Sequence, residues 1–367
     1  VELGGTDAEP TGEDPATSPE VAANEAARDA ITNESCGTGP FKMSSWDRDS
    51  EIVIEVNPNY WGEAPKVERI IWRNVNEASA QVQLVQTAEA DIAYALPVDL
   101  VETVQADTNL QLLEGNTLAL QYIGLNVREE QGGPLAIKEV RQAIAQAIDY
   151  DGIINGIMGG AAVRPATAIP LPLTGTEAVL DKSYKLDLAA AQALWDGAGV
   201  GEAEIVMTYD SDSPAQGGAS LETIAVKLKS DLEQINGLTI QLAPMPGAER
   251  IAAYRAGDFQ MTLSPWTPDY PDVDSYAGPF ARTDTAAAGR VGYSDPEVDA
   301  LLDQGLSELD PTAREAIYVQ IQEKMIDACA FIVLYQPVDR KAARAVVQGA
   351  TTHPVYQIQL RNVSKTE

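Results

Sequence analysis

Apolar side chains recur at helical spacing most clearly between Pro134 and Asp149, where Ile137, Val140, Ile144, Ala147 and Ile148 share one face and Lys138, Glu139, Gln142 and Gln146 lie off it. The pattern predicts an amphipathic helix over 134–149, with 150–157 as a continuation stopped at Gly159-Gly160, where glycine can take the left-handed cap conformation. Alternating or continuous apolar runs predict strands at 39–43, 51–56, 67–72, 91–94, 204–209, 238–242, 259–263 and 331–335. Helical spacing predicts helices at 78–88, 188–198, 221–235, 248–256, 296–307 and 311–326. Strands alternating with helices in this order imply an α/β protein. The segments 343–348 and 357–363 are expected to return the chain to the first of two units.

Two stretches stand apart from this pattern. Residues 1–35 are rich in Glu, Asp, Ala, Thr, Pro and Gly and read as an acidic loop or tail, with a short helix over 22–31. Residues 266–272 read WTPDYPD, directly after the strand-like run 259–263. Prolines at 265, 268 and 271 fix φ and remove backbone donors, so a shaped loop is expected there, neither helix nor ladder. Trp266 and Tyr270 offer flat apolar faces and Asp269 a negative charge, a combination suited to a small ligand with a cationic end. An ordinary proline-rich surface turn is the competing reading.

Composition narrows the function classes. The 367 residues allow two to three lobes, and the 45% hydrophobic content supplies cores. Lys plus Arg number 25 against 55 Asp plus Glu, a net charge of −30, so binding to nucleic acid is electrostatically disfavoured. The sequence has no apolar run of membrane-spanning length. Its N-terminus lacks a basic and an apolar region, so any signal peptide is expected to be already removed. With one histidine, His353, and two cysteines, Cys36 and Cys329, the chain lacks a zinc-ligand pattern, and neither a metal nor a cofactor is expected. The two cysteines are candidates for one long-range disulfide. Asp210-Ser211-Asp212 and Asp272-Val273-Asp274 lack calcium-loop spacing, Gly37-Thr38-Gly39 lacks a dinucleotide-binding context, and no Gly-x-Ser-x-Gly elbow supports a catalytic triad.

Several separated segments, in order, resemble the family 5 extracytoplasmic solute-binding proteins of ABC transporters, the peptide- and dipeptide-binding group. GTGPFKMSSW at 37–46 and NPNYWGEAPKVERI at 57–70 are similar to that family's "GTGPYKL…W" and "NPDYWG…P" block. GLNVREEQGGPLAIKEVRQAIAQAIDYDGII at 124–154 resembles its "Val-Arg-x-Ala…Ala-Ile-Asp" helix. WTPDYPDVD at 266–274 resembles its "W-x-x-D-Y-x-D-P" loop, with Val273 in place of the last proline. The resemblance implies two α/β lobes of the periplasmic-binding-protein type (type II, cluster C) that close about a hinge. It places lobe I at 36–124 plus 346–367 and lobe II at 125–345. It also implies that the family's leading strands and inserted domain have no counterpart here, leaving lobe I incomplete.

The implied function is capture of a peptide or peptide-like amine outside the membrane and delivery to an ABC permease. The protein would act as a monomer without catalysis, in the periplasm or another extracytoplasmic location, lipid-anchored in the precursor if at all. Asp269 would pair with the ligand ammonium, Trp266 and Tyr270 would wall the pocket, and main-chain groups at Leu120, Gln121 and Tyr122, with Asn126 following, would meet the ligand backbone. Family members for oligosaccharides, opines and metal chelates keep other ligands open. Two readings from other classes are a glycoside hydrolase using Asp269 and Asp272 as its carboxylate pair, and a ligand-free fragment.

Overall fold

In the computed structural model, residues 24, 25, 28, 37–96, 98–267, 269–355 and 357–366 are described. The helix expected over 22–31 and nearly all of segment 1–35 lie outside them. The described chain opens with an antiparallel three-stranded sheet of β1 (Phe41–Asp47), β2 (Glu51–Val56) and β3 (Arg69–Arg73). After α1 (Ala78–Gln86), β4 (Ile92–Ala93) and α2 (Val101–Ala106), strand β5 (Leu110–Asn116) passes through 117–119 into β6 (Leu120–Leu125).

An eight-stranded sheet joins these to the remainder. It includes β7 (Ala162–Val163), β8 (Ala203–Asp210), β9 (Leu238–Met245), β10 (Met261–Trp266) and β11 (Phe331–Arg344), in the order β4-β11-β6-β10-β8-β9 with β5 and β7 also paired to β11. β8 pairs parallel with both β9 and β10, as expected where helices connect successive strands.

Side-chain alternation explains how the larger lobe forms. In β6, Leu120 and Tyr122 point into one core and Ile123 and Leu125 into the other, so all six residues are buried. One face is covered by α3 (Lys138–Ala147), α4 (Leu188–Gly197) and α5 (Leu221–Leu232), which contribute Ile144, Trp195 and Leu228. The other is covered by α6 (Gly247–Ala256), α7 (Asp274–Ala281), α8 (Ala286–Val291), α9 (Pro296–Ser307) and α10 (Pro311–Ala328), with Tyr276, Phe280 and Ile321 among its buried members. Each buried Leu, Ile or Phe contributes roughly 1.5–3 kcal/mol of burial free energy. Local signals set the helix starts: Asp295 and Asp310 accept main-chain N–H groups ahead of Pro296 and Pro311, and Ser220 caps α5.

The smaller lobe has thinner cores. Val82, Val85, Ala93, Val104 and Leu110 form one, and Leu113, Val347, Ile358 and Val363 another. The short strands β12 (Val347–Gln348), β13 (Thr352–His353), β14 (Gln357–Ile358) and β15 (Ser364–Lys365) close this end. Two connections join the lobes: the β5–β6 passage, and β11, whose first residues pair with β6 and whose last seven pair with β5. The division expected at 124/125 falls at the end of β6, a strand that pairs with β10 and the first part of β11.

Three expectations change. The helix over 134–149 is shorter: α3 ends at Ala147 because Ile148 is extended, and the Asp149 carboxylate then accepts the Gly152 N–H at 2.9 Å to start a separate π-helical turn, Gly152–Ile157. The strand expected at 331–335 runs 14 residues, to Arg344. The ladder does not stop before the prolines, since Pro265 pairs with Gln121 and Trp266 with Leu120. Proline is tolerated there because β10 meets β8 only at Met261 and Thr262, leaving its far end a sheet edge that needs no N–H.

Candidate functional site

A cleft of about 550 Å³ lies where the lobes meet. Its smaller-lobe wall comes mainly from β11 and from Tyr94, Ala95, Leu96, Val98 and Asp99. Asp339 and Lys341, two apart on β11, project to the same side. Lys341 Nζ lies 2.6 Å from Asp339 Oδ1 and 4.9 Å from the Tyr94 ring centre, with only 2% of its side chain exposed. An ammonium this buried persists only with a paired charge and a favourable ring face. Burial, helped by the Asp339 charge, pushes the Tyr94 phenol up to about 12. Arg340 reaches Glu114, its register partner on β5, at 2.7 Å.

The larger-lobe wall carries no ionisable side chain among its lining residues. It includes Ile157, Met158 and the loop from Pro214 to Ala219, with Thr267 at the edge. Two buried side chains grip this loop at Gln216. Gln121 Oε1 accepts the Gln216 N–H at 3.2 Å, and the Tyr335 hydroxyl donates to the Gln216 carbonyl at 2.9 Å. Gln121 and Tyr335 are cross-strand partners on β6 and β11, so the loop is held where the crossing strands enter the larger lobe. Gly217, at φ +84°, lets the loop come close; a Cβ there would sit 2.6 Å from Met158 Cε and 2.9 Å from Pro337 Cβ.

The structure distributes the residues expected at the site. Leu120, Tyr122 and Asn126 are buried in the larger lobe: the Tyr122 hydroxyl shares a 3.0 Å hydrogen bond with Tyr254, and Asn126 Nδ2 donates to the Gly257 and Phe259 carbonyls. Trp266 packs edge-on against Phe280 at 4.8 Å, half-buried. Asp269 and Tyr270 are exposed on the loop after β10. Burial, aided by the Asp269 charge, raises the Tyr276 hydroxyl above its ordinary value, and that hydroxyl donates to the Leu118 carbonyl. Thr267, ahead of Asp269 in this loop, lines the cleft, as do Thr117 and Ala119.

Asp272 is engaged elsewhere, in a two-point contact with Arg314 at 2.8 and 3.1 Å. Desolvation opposes its charge, but the Arg314 hydrogen bond and the Asp274 N–H outweigh it and hold the carboxyl below its ordinary value. A carboxylate so held is a poor proton donor, which weakens the carboxylate-pair chemistry required of a glycoside hydrolase. Cys329 is a buried free thiol that donates to the Arg141 carbonyl at 3.5 Å, and burial pushes it up to about 12. Cys36, its expected disulfide partner, lies outside the described residues.

The sequence reading missed Tyr94, Asp99, Asp339, Lys341 and the 214–219 loop. Signals existed for two of these features. Val338 to Lys341 continues a strand whose charged residues are followed by two small ones, and Pro214 to Ala219 follows the carboxyl end of a parallel strand, where ligands of α/β proteins commonly bind.

A two-lobed α/β architecture with a ligand-sized cleft between the lobes defines a periplasmic-binding-protein fold. Residues 8–288 match the family model for bacterial extracellular solute-binding proteins, family 5 Middle, and the chain belongs to this family. It is 28% identical over 352 residues to the probable D,D-dipeptide-binding periplasmic protein DdpA of Escherichia coli (strain K12), a match covering 95% of this chain and 66% of that protein. It is 27% identical to the dipeptide-binding protein DppE of Bacillus subtilis (strain 168), covering 90% of this chain and 60% of that one. Among solved structures, the periplasmic binding protein DppA from Helicobacter pylori, in complex with peptide STSA, superposes with a TM-score of 0.78 at 22% identity, covering 90% of this chain and 63% of that chain. The chain therefore spans less than two thirds of the length of these relatives.

Proposed function

We propose that the protein captures a peptide or peptide-like amine outside the cytoplasm and hands it to an ABC permease, acting by binding and hinge closure without catalysis. The cleft carries this reading. Its walls belong to different lobes, and the connections between them are strands able to bend without unpairing. We place the division at 117–119 and 336–337, between the β6 and β5 pairings of β11. Ligand that touches both walls stabilises the closed form by its differential affinity for it.

Asp269 is proposed as the ammonium anchor. It is exposed two residues beyond Thr267, which lines the cleft, and has no ion-pair partner among the described residues. A charge-assisted hydrogen bond in a closed cleft contributes roughly 1.5–3 kcal/mol. Trp266, seated against Phe280, stiffens the start of the loop, and exposed Tyr270 is free to cover the ligand. Calorimetry with short peptides tests the assignment. Asp269→Asn is expected to weaken binding of free peptides by about tenfold or more while leaving N-acetylated peptides unaffected. Equal affinity of both proteins for free peptides would remove Asp269 from the site.

A further inference from the structure

The cleft's lining carries two carboxylates, Asp99 and Asp339, and two basic side chains, Arg340 and Lys341, and they differ in which are paired. Lys341 is neutralised by Asp339 at 2.6 Å, and Arg340 is taken up by Glu114 at 2.7 Å. His353 also borders the cleft, but its Nδ1 accepts the Val355 N–H at 3.1 Å. The facing loop, Pro214 and Gln216 to Ala219, carries no ionisable side chain. Asp99 is left over, exposed in the short turn Val98–Leu100 and without an ion-pair partner among the described residues. Asp269, on the other lobe, is uncompensated in the same way.

Closure would exclude water and strengthen whatever charge the walls hold. A ligand carboxylate entering the cleft would meet no uncompensated side-chain cation among the described lining residues. A ligand cation would meet one open carboxylate, Asp99, on the smaller-lobe wall, with the Asp269 proposed above lying two residues beyond the lining residue Thr267. The surrounding net charge of −30 favours the same sign of ligand at long range.

We infer that the cleft selects net-cationic peptides, with Asp99 receiving a basic side chain at the smaller-lobe wall and no unpaired lysine or arginine among the described lining residues to anchor the ligand's C-terminal carboxylate. This rests on the peptide-capture reading above and adds the ligand's charge class to it. Asp99 is a specificity residue whose removal should leave the fold intact, because it is exposed and holds no partner.

The test is calorimetry of the full chain with trialanine, its C-terminal amide, and the tripeptides carrying a central lysine or a central glutamate. The lysine peptide is expected to bind about tenfold tighter than trialanine and the glutamate peptide about tenfold weaker, with the lysine advantage shrinking as salt is raised. The amide should bind at least as tightly as the free acid. Asp99→Asn should abolish the lysine advantage with trialanine affinity and thermal midpoint unchanged. Equal affinities for the lysine and glutamate peptides, or a large loss on amidation, would overturn the charge rule while leaving peptide capture standing. Failure of all four peptides to bind would overturn both.

Discussion

Strands β6 and β3 make an instructive pair. Both are short and rich in large apolar residues, LQYIGL against RIIWR, yet every residue of β6 is buried whereas Ile71 and Trp72 of β3 remain 43% and 42% exposed. Composition does not separate them; coverage does. β6 lies between β10 and β11 with helices over both faces, while β3 is an edge of a three-stranded sheet. The larger lobe is therefore the more densely covered of the two. The smaller lobe brings the cleft's charged lining on a lighter frame, a division that suits the hinge closure proposed above.

The sharpest way to break that comparison is a matched pair of truncations. Ile123→Ala in β6 is expected to cost about 2–5 kcal/mol in chemical denaturation, through lost burial and an unfilled cavity. Ile71→Ala in β3 should fall within about 0.5 kcal/mol of the parent. Similar losses at the two sites would mean that the lobes are equally packed. A smaller effect probes the thin core directly: Val104→Ala, fully buried against the other members of its cluster, should cost about 2 kcal/mol. If the lobes unfold separately, that loss should appear only in the earlier transition of a thermal scan.

The smallest effect concerns the loop after β10. Arg314 holds the Asp272 carboxyl below its ordinary value of 3.8, so the pair's contribution is present above the usual carboxylate range and disappears as pH falls through the lowered value. Arg314→Met is expected to destabilise by about 0.2–1 kcal/mol at neutral pH, with the gap from the parent narrowing below about pH 4. A gap that is constant with pH would show that Arg314 acts only by packing and through its bond to the Gly305 carbonyl.

Much of the larger lobe was legible in the sequence because local and tertiary demands agree there. Helical spacing coincides with burial in α3, and Asp-Pro starts coincide with the ends of α9 and α10. The cleft was harder to read. Asp339, Arg340 and Lys341 look like a strand stop, and become strand only because Lys341 has Asp339 and Tyr94, and Arg340 has Glu114 on β5, more than two hundred residues earlier. The helices α7 and α8 were missed as well; Pro279 inside α7 and the small residues of α8 hide a helix that tertiary packing stabilises. Of the loop at 266–272, the sequence did not convey that its tryptophan still belongs to a sheet.

β11 binds the two lobes into a single alignment. Its residues pair with β6 at one end and β5 at the other, with one irregularity between Val333 and Tyr335. Inserting or deleting one residue beyond that point would turn Asp339 and Lys341 away from the cleft and slide the smaller lobe's ladder by a step, while the larger lobe stayed in place. Diversification of the β11 part of the cleft's smaller-lobe wall is thus confined to exchanging side chains, whereas the 214–219 loop, attached to one lobe alone, is a place where the pocket can change length.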